Sequence, residues 1–133
     1  MVYKQFGAEL ISQVKQIYAE NGWNAYLGDD RRLISAFEHS LYVLGAFDGD
    51  TLVGFVRCLG DGEYMVLVQD LIVRKSYQKR GIGTHLFRTA WEHYGDVRMF
   101  HVVTDISDPA DNRFYQSFGM KKLAEGDMVS YFR

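Results

Sequence analysis

The chain has 133 residues, of which 47% are hydrophobic and one is proline, and its formal net charge is −2. This length and composition predict one globular domain over residues 1–133 and exclude a disordered chain. The N-terminus lacks the apolar stretch of a signal peptide, and no segment approaches the roughly 20 apolar residues of a membrane span. A single cysteine, Cys58, and four histidines argue against a disulfide or a metal site. We therefore expect a cytoplasmic protein without a membrane partner.

Two amphipathic helices are predicted first. Apolar residues recur at helical spacing in Ala8–Glu20, and Asn21-Gly22 ends this segment in the manner of a helix C-cap. Asp29-Asp30 then supplies an N-cap and a first-turn acid for a second helix. The apolar face of the second helix consists of Leu33, Ile34, Phe37 and Leu41.

Three strands are predicted next. Tyr42–Phe47 and Leu52–Leu59 lie on either side of Asp48-Gly49-Asp50, a combination typical of a hairpin. A second turn at Gly60-Asp61-Gly62 leads into the apolar strand Met65–Val73. Because consecutive strands joined by short turns pair antiparallel, we expect an antiparallel sheet here.

The last part of the chain alternates helix and strand. A helix is predicted over Gly81–Tyr94 and a strand over Val97–Thr104, which this order makes parallel to the strand before the helix. Pro109 suits the first turn of a short helix. Met120–Ala124 and Met128–Phe132 then predict a closing hairpin. The order ααβββαβαββ describes an α/β protein with a mixed, mostly antiparallel sheet flanked by helices.

The turn before the third helix has the features of an anion site. Gly81-Ile82-Gly83 joins a buried strand to a helix N-terminus, where backbone N–H groups lack partners and the helix dipole is positive. A P-loop needs four residues between its glycines, and a Rossmann fingerprint needs a glycine or alanine where Leu86 stands, so neither motif fits. Five basic and no acidic residues lie between Arg74 and Ala90, which favours a local anion site. A nucleic-acid surface would need a broader basic face, so no nucleic-acid partner is expected.

Two linked motifs carry a family resemblance. Gln78-Lys79-Arg80-Gly81-Ile82-Gly83 resembles the Q/R-x-x-G-x-G/A motif of the GNAT superfamily of acyl-CoA-dependent N-acyltransferases. Downstream, Phe114-Tyr115-Gln116-Ser117-Phe118-Gly119-Met120 resembles the L/F-Y-x-x-x-G-F/M element of that superfamily. The resemblance covers nearly the whole chain and implies a GNAT-like fold with acetyl-CoA as cosubstrate and no metal.

The resemblance also implies how acetyl-CoA is held. The pyrophosphate would lie on backbone N–H groups of the glycine turn, and the pantetheine would pair with a bulged strand where it separates from the next one. The family often has an asparagine seven residues before the motif tyrosine; here Asp108 occupies that position, and Asn112 lies three residues before it. The residues that we expect to contact acetyl-CoA are Leu71, Ile72, Val73, Gln78, Lys79, Arg80, Gly81, Ile82, Gly83, Thr84 and Asn112.

Tyr115 and Asp70 are the expected catalytic residues. By resemblance, Tyr115 would protonate the departing thiolate, a step that suits a phenol. The positions where family members carry a glutamate base are Leu67 and Val103 here, so the base stays open among Asp70, Asp105 and Glu63. Cys58 is expected to be a buried small residue, which favours direct transfer within a ternary complex over a covalent enzyme intermediate.

The acceptor is expected to be a primary amine. Trp23 and Tyr26 lie beside acids in the connection between the first two helices, where cation–π contacts suit a cationic amine, although both side chains could equally pack that connection onto the sheet. A small amine, a polyamine and a peptide amine are favoured in that order. An acyl-CoA-binding sensor without turnover is the alternative function, and a homodimer is possible because dimers are common in the family.

Overall fold

Five strands form one sheet in chain order in the computed structural model, which describes all 133 residues. Neighbouring strands are antiparallel except for the last pair, which is parallel. The strands are β1 (Val2–Gln5), β2 (Tyr42–Asp48), β3 (Thr51–Gly60), β4 (Met65–Val73) and β5 (Met99–Val102). The predicted α/β class with a mixed, mostly antiparallel sheet is confirmed.

Three helices belong to the same unit, Met1–Val102. They are α1 (Ile11–Glu20), α2 (Asp30–Glu38) and α3 (Ile82–His93). The caps follow the sequence prediction, because Asn21 is the C-cap of α1 and the Asp29 carboxylate accepts the N–H of Arg32 at 3.1 Å. A short 3-10 helix, Asn24–Tyr26, lies in the connection between α1 and α2.

The helices pack on the sheet through separate sets of apolar side chains. Buried residues of α1 and α2, among them Ile17 and Phe37, form one cluster with Phe55 of β3 and Ile72 of β4. The buried residues of α3, which include Leu86 and Phe87, do not belong to that cluster. Because strand side chains alternate between faces, β3 and β4 can bury apolar residues on both sides.

Val103–Arg133 forms a second unit with no strand. It contains α4 (Pro109–Gln116) and a 3-10 helix, Leu123–Gly126. None of the helices in the chain has the length and apolar character needed to cross a membrane.

One strand is missing from the predicted elements, and one predicted hairpin is wrong. The strand β1 was not predicted, because four residues without a flanking turn motif give little periodic signal. The closing hairpin of Met120–Ala124 and Met128–Phe132 does not form. The N–H of Lys122 instead bonds the Glu125 carboxylate at 2.7 Å in a helical turn, and Phe132 is 99% exposed. Alternating apolar residues form a strand only where other parts of the chain cover their apolar side chains.

Candidate functional site

β4 carries a bulge beside its last contact with β5. Arg57 of β3 faces Asp70, but the next residue, Cys58, faces Val68, which leaves Gln69 as an extra residue. The final pair between β4 and β5 is Val68 with Val102. Residues 70–73 of β4 therefore pair with β3 on one side, and residues 69–73 have no β5 partner on the other. We call this side of residues 69–73 the open edge.

Backbone groups alternate along the open edge. The N–H of Arg74 donates to the Val53 carbonyl at 2.7 Å. The backbone N–H and carbonyl of Ile72, two residues earlier, therefore also point toward β3. Leu71 and Val73 direct theirs the other way. An extended ligand with amide groups could pair there as an added strand. The side chain of Ile72 lies in the α1–α2 core, so its predicted cofactor contact gains no support from this geometry.

The end of β4 is tied to the turn that precedes α3. The Val73 carbonyl accepts the side-chain amides of Gln78 at 3.0 Å and Asn21 at 3.3 Å. The Gln78 amide also donates to Asn21 Oδ1 at 3.1 Å. Gln78 therefore directs its amide nitrogen at the protein, and its contribution is to hold the turn.

The N-terminus of α3 is open to an anion. Lys79 and Gly81 both have left-handed backbone conformations, with φ of 63° and 81°. Gly81 is the N-cap, and no side chain caps the helix, so the first-turn N–H groups of Ile82, Gly83 and Thr84 have no intrahelical acceptor. Consecutive outward N–H groups at a helix N-terminus are the usual protein site for a phosphate.

The basic residues around this turn divide into two groups. Arg74 donates from Nε to the Leu52 carbonyl at 2.7 Å and lies 3.6 Å from the Glu20 carboxylate, so its charge is already paired. Lys79 and Arg80 are exposed on the turn itself, and the Arg80 guanidinium lies 5.0 Å from the ring centre of Tyr77. Lys79 and Arg80 are thus better placed than Arg74 to attract an anion.

Substituting Gly81→Ala is expected to weaken the binding of acetyl-CoA, the cosubstrate that the family resemblance implies, about fivefold to tenfold. A Cβ at a left-handed position costs roughly 1 kcal/mol, and the chain can relieve that strain only by moving the first turn of α3. Calorimetric titration with acetyl-CoA measures the change. Gly49→Ala is the matched control, because Gly49 has φ of 60° in the β2–β3 turn and its added Cβ also meets nothing within 4 Å. Equal affinities for the two variants would contradict the prediction.

A buried polar network lies behind the bulge. Asp70 is 1% exposed, and its Oδ2 accepts Arg57 Nε at 2.6 Å and the Tyr18 hydroxyl at 2.7 Å. Its Oδ1 accepts the Tyr26 hydroxyl at 2.7 Å. Gln69 Nε2 completes the set by donating to the Tyr26 oxygen at 3.0 Å. We call Asp70, Arg57, Tyr18, Tyr26 and Gln69 the Asp70 network.

The network changes the role that the geometry supports for Asp70. The Asp70 carboxylate already accepts hydrogen bonds from a guanidinium and two hydroxyls, and its burial keeps an amine from reaching it. Asp70 is therefore placed to orient other groups rather than to take a proton from the substrate. Arg57 also lies against aromatic rings, with its guanidinium carbon 5.1 Å from the centre of Phe37.

Trp23 and Tyr26 differ in their contacts. The Tyr26 ring stacks on Tyr18 at 4.4 Å, and the hydroxyl belongs to the Asp70 network. Trp23 stacks on Tyr18 at 6.0 Å and remains 37% exposed. Both side chains thus pack the α1–α2 connection onto the unit, and Tyr26 also joins that connection to the bulge of β4.

Alkaline pH is expected to destabilise the protein through Tyr18. Burial raises the pKa of this phenol above the ordinary 10, and the Asp70 carboxylate raises it further. The folded protein keeps the proton while the unfolded chain loses it, so the stabilisation is present below about pH 10 and is lost as pH rises. Urea unfolding from about pH 8 to about pH 11 measures this loss. Tyr18→Phe should flatten the decline, and an equally steep decline in that variant would contradict the assignment.

The second unit contains Tyr115 and Asn112. Burial raises the pKa of the Tyr115 phenol, and the Asp111 carboxylate adds to the rise, so this hydroxyl keeps its proton at neutral pH. The Asn112 amide donates to the carbonyls of Asp105 at 3.0 Å and Asp108 at 2.6 Å, which fixes the loop before α4. Asp108 caps α4 by accepting the N–H of Asp111 at 3.0 Å.

The other candidate side chains have simple environments. Cys58 is fully buried, and burial raises the pKa of its thiol to about 12, so a thiolate nucleophile is not available there. The Asp105 carboxylate accepts both the N–H and the hydroxyl of Ser107, and these bonds lower its pKa. Glu63 is exposed in the β3–β4 turn.

Sequence reasoning missed Arg57, Tyr18 and Gln69 as parts of the site. A signal for Arg57 was present, because a lone arginine in the otherwise apolar β3 needs an acid, and the hairpin register places Asp70 opposite it. Tyr18 reads as an ordinary apolar position of α1. Gln69 reads as an exposed strand residue until the bulge is known.

The first unit thus combines a strand that has an open edge with a following helix whose uncapped N-terminus suits a phosphate. The chain belongs to the GNAT acetyltransferase family, because the sequence model described as "Acetyltransferase (GNAT) family" matches residues 8–120. Members of this family transfer acyl groups and use acetyl-CoA.

Individual relatives agree with the family assignment. An uncharacterised N-acetyltransferase from Prochlorococcus marinus is 27% identical over 98% of this chain and 73% of its own length. The structure of a GNAT-family acetyltransferase from Streptococcus pneumoniae is 32% identical, with a TM-score of 0.85 over 99% of this chain and 96% of that one. The PaiA N-acetyltransferase of Thermoplasma acidophilum, solved in complex with coenzyme A, has a TM-score of 0.67 at 17% identity, with 90% of this chain and 89% of that one covered. The last likeness shows a shared fold.

Proposed function

We propose that this protein is an N-acetyltransferase that moves the acetyl group of acetyl-CoA to a primary amine within a ternary complex. The observation that carries the proposal is the open edge of β4, which is followed, after residues 74–80, by the uncapped N-terminus of α3. The coenzyme A complex of the Thermoplasma relative supports the choice of ligand.

The residues would hold acetyl-CoA in two places. The N–H groups of Ile82, Gly83 and Thr84 would receive the pyrophosphate, with Lys79 and Arg80 supplying positive charge. Leu71 and Val73 would pair through their backbone with the amides of the pantetheine. Since the Val73 carbonyl already accepts two side-chain amides, the Val73 N–H is its free group toward the ligand.

The transfer exchanges the C–S bond of the thioester for a C–N bond and also requires proton transfers at the nitrogen and at the sulfur. The neutral amine attacks the thioester carbon, the new C–N bond forms, and the C–S bond breaks. The nitrogen loses its surplus proton to solvent, the sulfur gains one from the Tyr115 hydroxyl, and solvent returns a proton to the Tyr115 phenolate. This role of Tyr115 is proposed by resemblance, and the raised pKa means that the hydroxyl carries its proton at neutral pH. A covalent route through Cys58 is disfavoured because that thiol is buried and protonated.

Thioester consumption separates the proposed enzyme from a non-catalytic acyl-CoA-binding module. The purified protein is mixed with acetyl-CoA and, in turn, with propylamine, spermidine and a peptide with a free N-terminus, and the released thiol is measured together with the mass of the acetylated amine. Release that depends on the amine is expected. Tight binding of acetyl-CoA without release for any of the three amines would favour the sensor function instead.

A further inference from the structure

We propose that Gln69 receives the acceptor amine on its side-chain oxygen, and that Asp70 and Tyr26 fix the amide in the orientation that makes this possible. Gln69 is the bulge residue, is exposed, and lies where the open edge of β4 begins. The inference rests on the proposed function and concerns how the amine is held.

The orientation of the Gln69 amide depends first on the Asp70 carboxylate. Arg57 Nε lies 2.6 Å from its Oδ2, and both side chains are almost completely buried, at 4% and 0% exposure. A carboxylate in such an ion pair can only accept hydrogen bonds. The group opposite each of its oxygens must therefore be a donor, and the group opposite Oδ1 is the Tyr26 hydroxyl, at 2.7 Å.

The Tyr26 hydroxyl in turn determines the orientation of the Gln69 amide. A phenol has one hydrogen, and the bond to Asp70 uses it. The Tyr26 oxygen can only accept from Gln69, at 3.0 Å, so Gln69 must turn its NH₂ group toward Tyr26. Gln69 Oε1 has no partner in the Asp70 network. Two polar bonds thus determine which end of an exposed amide is left for a ligand.

This polarity suits an attacking amine. A carbonyl oxygen accepts an N–H of the amine and leaves the nitrogen lone pair free for the thioester carbon. An NH₂ group in the same place would donate to that lone pair and compete with the attack. The Asp70 network therefore selects the amide orientation that binds the nucleophile without blocking it, and Asp70 and Tyr26 are positioning residues.

A double-mutant cycle tests the chain of contacts. Gln69→Met, which keeps the length of the side chain and removes its polar atoms, should lower kcat/KM for the amine about threefold to tenfold and leave the acetyl-CoA KM within about twofold. Tyr26→Phe should lower kcat/KM for the amine by a smaller factor in the native background. In the Gln69→Met background it should lower this quantity almost not at all, because Tyr26 acts through Gln69. Gln5→Met is the matched control on β1, the opposite edge strand of the sheet. An unchanged Gln69→Met, or the same Tyr26→Phe effect in both backgrounds, would overturn the proposal.

Asp70→Asn tests the polarity directly. Its amide oxygen would face Arg57 and Tyr18, so its NH₂ would face Tyr26, and the hydrogen-bond directions would reverse as far as Gln69. The folded fraction of this variant should therefore lose at least as much kcat/KM for the amine as Gln69→Met does. The full native value of kcat/KM in the folded Asp70→Asn protein would contradict the orientation argument.

A binding measurement keeps this inference separate from the proposed function. The side-chain amide resonance of Gln69, identified by its loss in Gln69→Met, is followed while spermidine is added to the protein. A shift is expected in the native protein. A shift without any acetyl transfer would refute the proposed function and retain the amine site, whereas transfer with neither a shift nor an effect of Gln69→Met would refute the site. No shift and no transfer would refute both.

Discussion

Tyr115→Phe is expected to lower kcat by about 100-fold or more and to leave the affinity for acetyl-CoA within about twofold. The substitution removes only the hydroxyl that would protonate the leaving thiolate, and the aromatic ring remains. Rapid-mixing measurement of thiol release gives kcat, and calorimetric titration gives the affinity. Tyr131→Phe is the matched control, because Tyr131 is 89% exposed.

The pH profile provides a second check on Tyr115. Because burial and Asp111 raise the pKa of the phenol above its ordinary 10, the acid form persists throughout the range in which an amine loses its proton. The rate should therefore rise with pH as the amine is deprotonated and should show no fall below about pH 10. A basic limb near neutrality, or an unchanged kcat in Tyr115→Phe, would remove Tyr115 from the mechanism.

Arg57→Met is expected to lower the free energy of unfolding by about 3–5 kcal/mol. The variant leaves the Asp70 carboxylate buried without its cation, although Tyr18 and Tyr26 still donate to it. Urea unfolding at neutral pH measures the change. Adding Asp70→Asn to Arg57→Met should recover part of the loss, because the uncompensated charge is then absent.

The chain offers a matched surface pair as a control for Arg57→Met. Lys15 and Asp30 also form an ion pair at 2.8 Å, but their side chains are 36% and 58% exposed. Lys15→Met should cost less than about 1 kcal/mol, because water screens that pair. If Arg57→Met cost no more than Lys15→Met, the Asp70 network would not be a major source of stability.

Local chemistry made much of the fold predictable. The Asn21 and Asp29 caps, the hairpin at Gly49 and the turn at Gly81 depend on nearby residues, and their elements form where they were predicted. The strand β1 depends on β2, which lies about 40 residues later in the chain, and no local pattern encodes that pairing.

The candidate site was predictable to a lesser degree, because contacts between residues distant in the sequence determine the hydrogen-bond partner of each polar atom. Asp70 and Tyr26 were identified as site residues, but their roles depend on Arg57 and on the bulge at Gln69. A carboxylate beside the expected cleft predicts a base, whereas the same carboxylate ion-paired in the core does not. Burial and pairing distinguish these cases, and neither can be read from residue types alone.

The Val73 carbonyl, which accepts amides from both Asn21 and Gln78, has a consequence for the thermodynamics of ligand binding. It joins the end of α1, the end of β4 and the turn before α3 at one atom. A turn fastened in this way is preorganised, so little of its conformational entropy remains to be lost when a phosphate arrives. In the proposed complex, the entropic cost of association then falls mainly on acetyl-CoA, whose long flexible arm would straighten along β4.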